Sequence, residues 1–289
     1  MSRPEPFAGD LHMVECPRWH DGALWVSDMR GHRVVRFADD GTRTDVVTLD
    51  GDGPGGLGWL PDGRLLVVGM ERRRLYSVGP DGIPVIHAEL GPLATWDAND
   101  MVVADDGTAY VSQTGFDLYF KTTPILETVV MRVDPDGRVS VAADRMLVPN
   151  GMTLDPSGTV LTVAESWGER LTRFTVAADG GLTDRTTLAR LEPAAGVRHA
   201  RPDGICLDQA GGIWVADFLG RRVLRVDGGG QVTDVLAVDH RPLAVVLGGP
   251  DRRRLFICLV PDLGPPDEPG ARGAHIDVLT VDIPGAGRP

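Results

Sequence analysis

The chain has 289 residues, 42 % of them hydrophobic and 24 % charged, with a formal net charge of −12. This is the profile of a water-soluble globular protein, and no apolar run approaches the roughly 18 residues that a membrane helix needs. The acidic field repels nucleic acid, Lys121 is the only lysine, and no basic stripe interleaved with aromatics offsets it, so nucleic-acid and membrane partners are excluded.

The first residues, Met1 to Leu11, carry neither a basic stretch before an apolar core nor a cleavage site, and predict no export signal. Cys16, Cys206 and Cys258 cannot all pair and none lies in a C-x-x-C arrangement, so a reduced, cytoplasmic setting is the expectation. The runs Arg72-Arg73-Arg74 and Arg252-Arg253-Arg254 fall at a hairpin turn or just before a strand, and read as solvated surface rather than as a phosphate site.

Turn signals punctuate the chain from end to end: Asp21-Gly22, Asp40-Gly41, Asp62-Gly63, Asp81-Gly82, Asp106-Gly107, Asp136-Gly137, Ser157-Gly158, Asp179-Gly180, Gly211-Gly212 and Asp227-Gly228. Such pairs supply the positive φ that tight hairpins require. Between them lie short runs rich in β-branched and large apolar residues, among them Leu24 to Val26, Leu65 to Val68, Tyr110 to Val111 and Ile213 to Val215, which predict short strands. No stretch sustains a helical period, and the expectation is an all-β fold.

In chain order, the segment around Phe7 to Val14 is predicted to be a strand closing the last repeat beside His275 to Val281. Six equivalent segments follow: Glu15 to Trp19, Gly55 to Trp59, Asn99 to Val103, Asn150 to Leu154, Asp203 to Leu207 and Leu243 to Leu247. Their starts are separated by 40, 44, 51, 53 and 40 residues. Two hairpins per unit at that period predict a six-bladed β-propeller of four antiparallel strands per blade, forming one domain over residues 1–289. A β-sandwich is the alternative, but its register would not keep repeating a Gly/Asn/Asp start before an apolar strand. The tail from Pro284 to Pro289 has turn composition and is expected to add nothing to the fold.

In a propeller the innermost strands line a central channel, so equivalent positions point to one level of one axis. The six starting positions hold Glu15, Gly55, Asn99, Asn150, Asp203 and Leu243. Four of them bear side-chain oxygens, and two carboxylates converging in a channel need protonation or a counterion. A divalent metal ion resolves that cost. Oxygen-only donors favour a hard cation; calcium is the first choice, with zinc, manganese and magnesium as alternatives. The competing reading makes Asn99, Asn150 and Asp203 turn residues at the entry to a strand.

The stretches Glu15-Cys16-Pro17-Arg18-Trp19, Asn99-Asp100, Pro149-Asn150-Gly151-Met152 and Arg201-Pro202-Asp203-Gly204-Ile205 resemble those of the regucalcin/gluconolactonase (senescence marker protein) family, in order and spacing, over essentially the whole chain. The resemblance implies a six-bladed propeller with one channel-bound divalent metal that hydrolyses a lactone. It further implies that Glu15, Asn150 and Asp203 ligate the metal, that Asn99 contacts both metal and substrate, and that Asp203 is the proton acceptor. One departure matters. Sugar-lactone members commonly carry a basic residue two positions before the Asn99 equivalent, and here that position is Asp97, which disfavours an anionic substrate and puts aldonolactones in doubt.

Blade three carries an excursion, Gln113 to Thr128, containing Phe116, Tyr119 and Phe120. Trp96, Trp167 and Phe218 are expected near the channel mouth, where an aromatic lining suits a hydrophobic or flat cyclic substrate; packing between blades is the alternative. His199, in the loop from Glu192 to Ala200, reads as a solvent-exposed histidine. Ser166 lacks a nucleophile elbow or a paired histidine. The same scaffold could serve a metal-dependent isomerase or cyclase, or a non-catalytic ligand-binding propeller. The expected partner is a small-molecule substrate, and the expected state a monomer or small homo-oligomer.

Overall fold

The computed structural model describes residues 3–117, 125–191, 199–261 and 273–287. Six four-stranded antiparallel sheets follow one another along the chain. Blade one runs Val14–His20, Ala23–Asp28, Arg33–Phe37 and Arg43–Thr48; blade two, Pro54–Trp59, Leu65–Gly69, Arg74–Val78 and Pro84–Glu89; blade three, Ala98–Val103, Ala109–Gln113, Thr128–Val133 and Val139–Met146. Blade four runs Pro149–Leu154, Val160–Glu165, Arg170–Val176 and Leu182–Arg190; blade five, Pro202–Leu207, Ile213–Asp217, Arg222–Val226 and Val232–Ala237. Blade six is Arg241–Gly248, Arg254–Val260 and Ala274–Thr280, completed by Glu5–Leu11 from the N-terminus. The only helical turn among the described residues is the 3-10 turn Met29–Gly31, and no helix is long and apolar enough to cross a membrane. The fold is the expected six-bladed β-propeller.

The closing strand departs in detail from the sequence expectation. It is Glu5–Leu11, paired antiparallel with Ala274–Thr280 through Glu5 opposite Val278 and Leu11 opposite Ala274, whereas Val14 already opens the inner strand of blade one. Closure covers the sheet edges that would otherwise stay open. The tail also does more than its composition promised: the Ala286 amide donates to the Leu207 carbonyl at 2.9 Å and the Gly285 amide to the Arg252 carbonyl at 2.8 Å, tying blade five to blade six. Nine of the ten turn pairs contain a glycine at positive φ; in the tenth, Asp227-Gly228, that role passes to Gly230.

Apolar residues alternating along the strands fill the spaces between blades, as with Phe256, Leu24 and Val26 between blades six and one. Each fully buried Val, Leu or Phe stabilises the fold by roughly 1.5–3 kcal/mol. The inner strands touch their neighbours in ring order, from blade one through blade six and back to blade one. Such closeness needs small residues: a Cβ on Gly151 would lie 2.7 Å from the Asp203 carbonyl oxygen, and one on Gly204 would strike Ala244. Cys16, Cys206 and Cys258 are buried and free.

Candidate metal and substrate site

Five of the six aligned starting positions, Glu15, Gly55, Asn99, Asn150 and Asp203, are the second residue of their inner strand, and Leu243 is the third of Arg241–Gly248. Immediately after each, the pairing with the next strand slips: between Glu15 and Arg18, Pro54 and Leu57, Ala98 and Met101, Pro149 and Met152, Pro202 and Ile205, and Pro242 and Ala244. An irregularity of this kind re-aims a side chain out of the regular alternation. Backbone strain accompanies it, since Cys16 and Val148, neither a glycine, sit at φ of 49° and 53° beside Glu15 and Asn150.

The segments that enter these strands are held by a polar side chain at the end of the second strand. Asp28 Oδ1 accepts from the His12 and Met13 amides at 2.9 and 3.1 Å, Gln113 Oε1 from Thr95 at 2.9 Å, Glu165 Oε2 from Leu147 at 2.9 Å, and Asp217 Oδ1 from Arg201 at 2.8 Å. In blade two the corresponding residue is Gly69, and Asp52 occupies the space a side chain there would take. The loops leading to the quartet are therefore fixed by hydrogen bonds to buried side chains.

Two members of the quartet are linked directly, and a chain through Ser166 leads on to the third. Asn99 Nδ2 donates to Asn150 Oδ1 at 2.9 Å, Asn150 Nδ2 donates to Ser166 Oγ at 3.3 Å, and Ser166 Oγ donates to the Pro202 carbonyl at 2.6 Å, next to Asp203. Ser166 is thus a brace between blades four and five and is committed to that role. Glu15 is 7 % and Asp203 5 % exposed. Burial, then the charge of Asp100, pushes the Glu15 carboxyl up to about 8. Burial, then the charges of Glu15 and Asp100, drives Asp203 well above the usual carboxylate range, against the pull of the Asn150 amide. Asp203 Oδ1 is buried with no hydrogen-bond partner.

Among the described residues, no three His, Cys, Asp or Glu side chains cluster as metal ligands. The available donors are two carboxylates and two carboxamides, and a hard cation suits both the oxygen set and the orphaned Asp203 oxygen. Asp100 does not join them. Arg18, 5 % exposed, holds Asp100 Oδ1 at 2.7 Å and also donates to the carbonyls of Pro17 and Leu57, each at 2.9 Å, and of Met101. One guanidinium thereby ties the inner strands of blades one, two and three. The sequence displayed Arg18 and Asp100 inside quoted motifs but gave neither a role; the arginine's partners lie on other blades, and only tertiary structure reveals them.

Of the expected substrate residues, Phe116 is buried and packs edge-on against Trp167 at 5.9 Å between centroids, and Trp167 lies 6.3 Å from Phe218. The Arg201 guanidinium covers the Trp167 ring at 5.6 Å and pairs with Glu169. Trp96 stands apart from this run and is 37 % exposed. Asp97 is half-buried, its carboxyl pushed up to about 6 by burial and then by the charge of Glu71. Tyr119, Phe120 and the loop stretch 192–198 lie outside the described residues. His199 is exposed, 3.5 Å from Glu169. In the arginine runs Arg72 is exposed and the other five are half-buried, Arg74 paired to Glu89 and Arg254 paired to Asp39 and lying over the Phe7 and Phe256 rings.

A profile of the SMP-30/Gluconolactonase/LRE-like region matches residues 13–260, which takes in all four ligand-type positions. The chain belongs to this family. A 6-deoxy-6-sulfogluconolactonase of Pseudomonas putida is 35 % identical over 129 residues, 44 % of this chain and 43 % of that protein, so the match spans less than half the length of the relative. Among solved structures, a luciferin-regenerating enzyme superposes with a TM-score of 0.82 at 17 % identity, covering 98 % of this chain and 97 % of that one. A calcium-binding protein, regucalcin, from Agrobacterium tumefaciens superposes with a TM-score of 0.79 at 20 % identity, covering 100 % and 99 %. At those identities the superpositions establish the shared propeller.

Proposed function

We propose that this SMP-30/gluconolactonase-family protein is a divalent-metal-dependent hydrolase that opens a lactone or a related cyclic ester. The observation that carries the reading is the pair of buried, mutually repelling carboxylates, Glu15 and Asp203, one of them with an unpartnered oxygen, beside two linked asparagines. Glu15, Asn150 and Asp203 would hold the cation. Asn99, whose amide nitrogen is engaged by Asn150, would turn its carbonyl oxygen to the cation or to a bridging water and help seat the substrate. Oxygen donors favour calcium, and the calcium-binding regucalcin among the structural relatives supports that choice.

When bound, such a cation supplies a Lewis acid for the ester carbonyl and a water of lowered pKa. The chain's own contribution is proton transfer and orientation. Asp203 accepts a proton from the attacking water and returns it to the ring oxygen as that oxygen leaves, opening the lactone to a hydroxy acid. Asn150 stays oriented because its amide nitrogen is tied to Ser166, so its Oδ1 keeps one direction toward the site.

The test is a lactone panel assayed after chelation and after re-addition of calcium, zinc, manganese or magnesium. Turnover that vanishes on chelation and returns with a divalent ion is the expected result; turnover indifferent to chelation contradicts the reading.

A further inference from the structure

Apolar side chains from all six blades lie at the end of the channel that carries the quartet. Met29, Met70, Phe116, Trp167 and Phe218 follow the second strands of blades one to five, and Leu243 occupies the aligned position of blade six. The ends of those second strands pair with the starts of the inner strands, Asp28 with Val14, Gly69 with Pro54, Gln113 with Ala98, Glu165 with Pro149 and Asp217 with Pro202, so all five loops leave from the end of the channel that carries the quartet. Met29, Met70 and Leu243 belong to one buried cluster, and Phe218 packs against it. Trp167 bridges Phe218 to Phe116 and so extends the apolar run to blade three. Met70 lies beside Gly55, the blade-two position that carries no side chain: a Cβ there would meet the Asn99 carbonyl oxygen first and then the Met70 Cγ at 3.1 Å.

Among the described residues, the charges near these side chains disfavour an anion. Asp97 is half-buried, and its carboxyl is raised by burial and then by the charge of Glu71. Arg73, the basic group that reaches Asp97, donates to the Ala94 carbonyl at 3.2 Å, and Arg201 is matched by Glu169. Ring hydroxyls pressed against methionine, leucine and tryptophan would lose water without gaining hydrogen bonds. An alkyl or aryl group there gains burial instead.

We propose that this apolar collar selects an uncharged lactone bearing an apolar substituent, an alkyl chain or an aromatic ring, seated against Trp167, Phe218 and Met70. The proposal rests on the hydrolase reading above, and its test separates the two.

With the calcium-loaded protein, kcat/KM is measured for γ-butyrolactone, γ-hexalactone, γ-octalactone, dihydrocoumarin and D-glucono-δ-lactone. In parallel, 5-alkyl-2-pyrrolidinones, the corresponding lactams that resist hydrolysis, are titrated by calorimetry. The expected result is a gain of about threefold per added methylene in both kcat/KM and lactam affinity, with gluconolactone the poorest substrate. Trp167→Ala flattens that gradient, Trp167→Phe largely keeps it, and Met70→Gln, from blade two, flattens it independently should the tryptophan variant fold poorly. Lactam affinity that rises with chain length without turnover of any lactone supports the collar and sinks the hydrolase reading. Turnover with gluconolactone best and no chain-length gradient overturns the collar while leaving the hydrolase intact, and a gradient unchanged in both Trp167→Ala and Met70→Gln overturns it as well.

Discussion

Glu15 and Arg18 stand three residues apart on one strand, on either side of the same backbone irregularity, yet their electrostatic situations are opposite. Arg18 is buried with its charge answered by Asp100 and three more of its donors taken by carbonyls. Glu15 is buried with only the Cys16 backbone and thiol as close partners, and faces the like charges of Asp203 and Asp100. Deeper in the channel, then, the propeller satisfies its charges in the ordinary way of a folded interior. At the quartet it leaves two carboxyls unmatched, and buried groups that the fold does not satisfy are where chemistry concentrates. The neighbouring arginine shows that the sequence had the means to neutralise a carboxylate here and used it on Asp100 instead.

The largest effect expected from breaking this contrast is on turnover. Asp203→Ala should lower kcat/KM on any accepted lactone by about a thousandfold while circular dichroism stays that of the folded protein; full activity would remove the proposed proton acceptor. Next comes the paired side. Arg18→Met leaves Asp100 buried without its cation, and denaturant unfolding should show a loss of about 3–5 kcal/mol. A change below 1 kcal/mol would mean that the three-blade tie contributes little.

The third expectation concerns pH. In the metal-stripped protein the folded state holds the Glu15 proton more tightly than the unfolded chain does. Stability from this group is therefore complete below its ordinary value of 4.5 and is lost as pH rises toward about 8. Asp203, raised for the same reason of burial, adds to the slope in the same sense. Unfolding curves of stripped protein across that interval should fall with pH, and added calcium should flatten the fall because binding requires both groups deprotonated. The smallest effect is reserved for the brace. Ser166→Ala frees the Asn150 amide, and calcium affinity should weaken about tenfold, read by competition with a fluorescent chelator.

The architecture was legible in the sequence because hairpins announce themselves: Asp-Gly pairs fix positive φ locally, and their regular recurrence reported six blades before any long-range contact was known. The meeting of Asn99 with Asn150 was legible for the same reason, since repeat alignment puts equivalent positions at one level of the channel. What could not be read were features set by partners far apart in the chain. Arg18 reaches Leu57 and Asp100, 39 and 82 residues away. Met70 packs beside Gly55, and Leu243 is buried with Met29 and Met70 in one apolar cluster. The closing strand began earlier than expected because its register is set by Ala274–Thr280, at the other end of the sequence.

Calcium titration into metal-stripped protein by calorimetry, repeated in buffers of different ionisation enthalpy, addresses the two unmatched carboxyls directly. The account predicts one site per chain, with proton release that grows as pH falls from 8 to 6, and loss of that site in a Glu15→Gln/Asp203→Asn variant that remains folded. Binding of equal strength in that variant, or no binding to the unmodified protein, would contradict it.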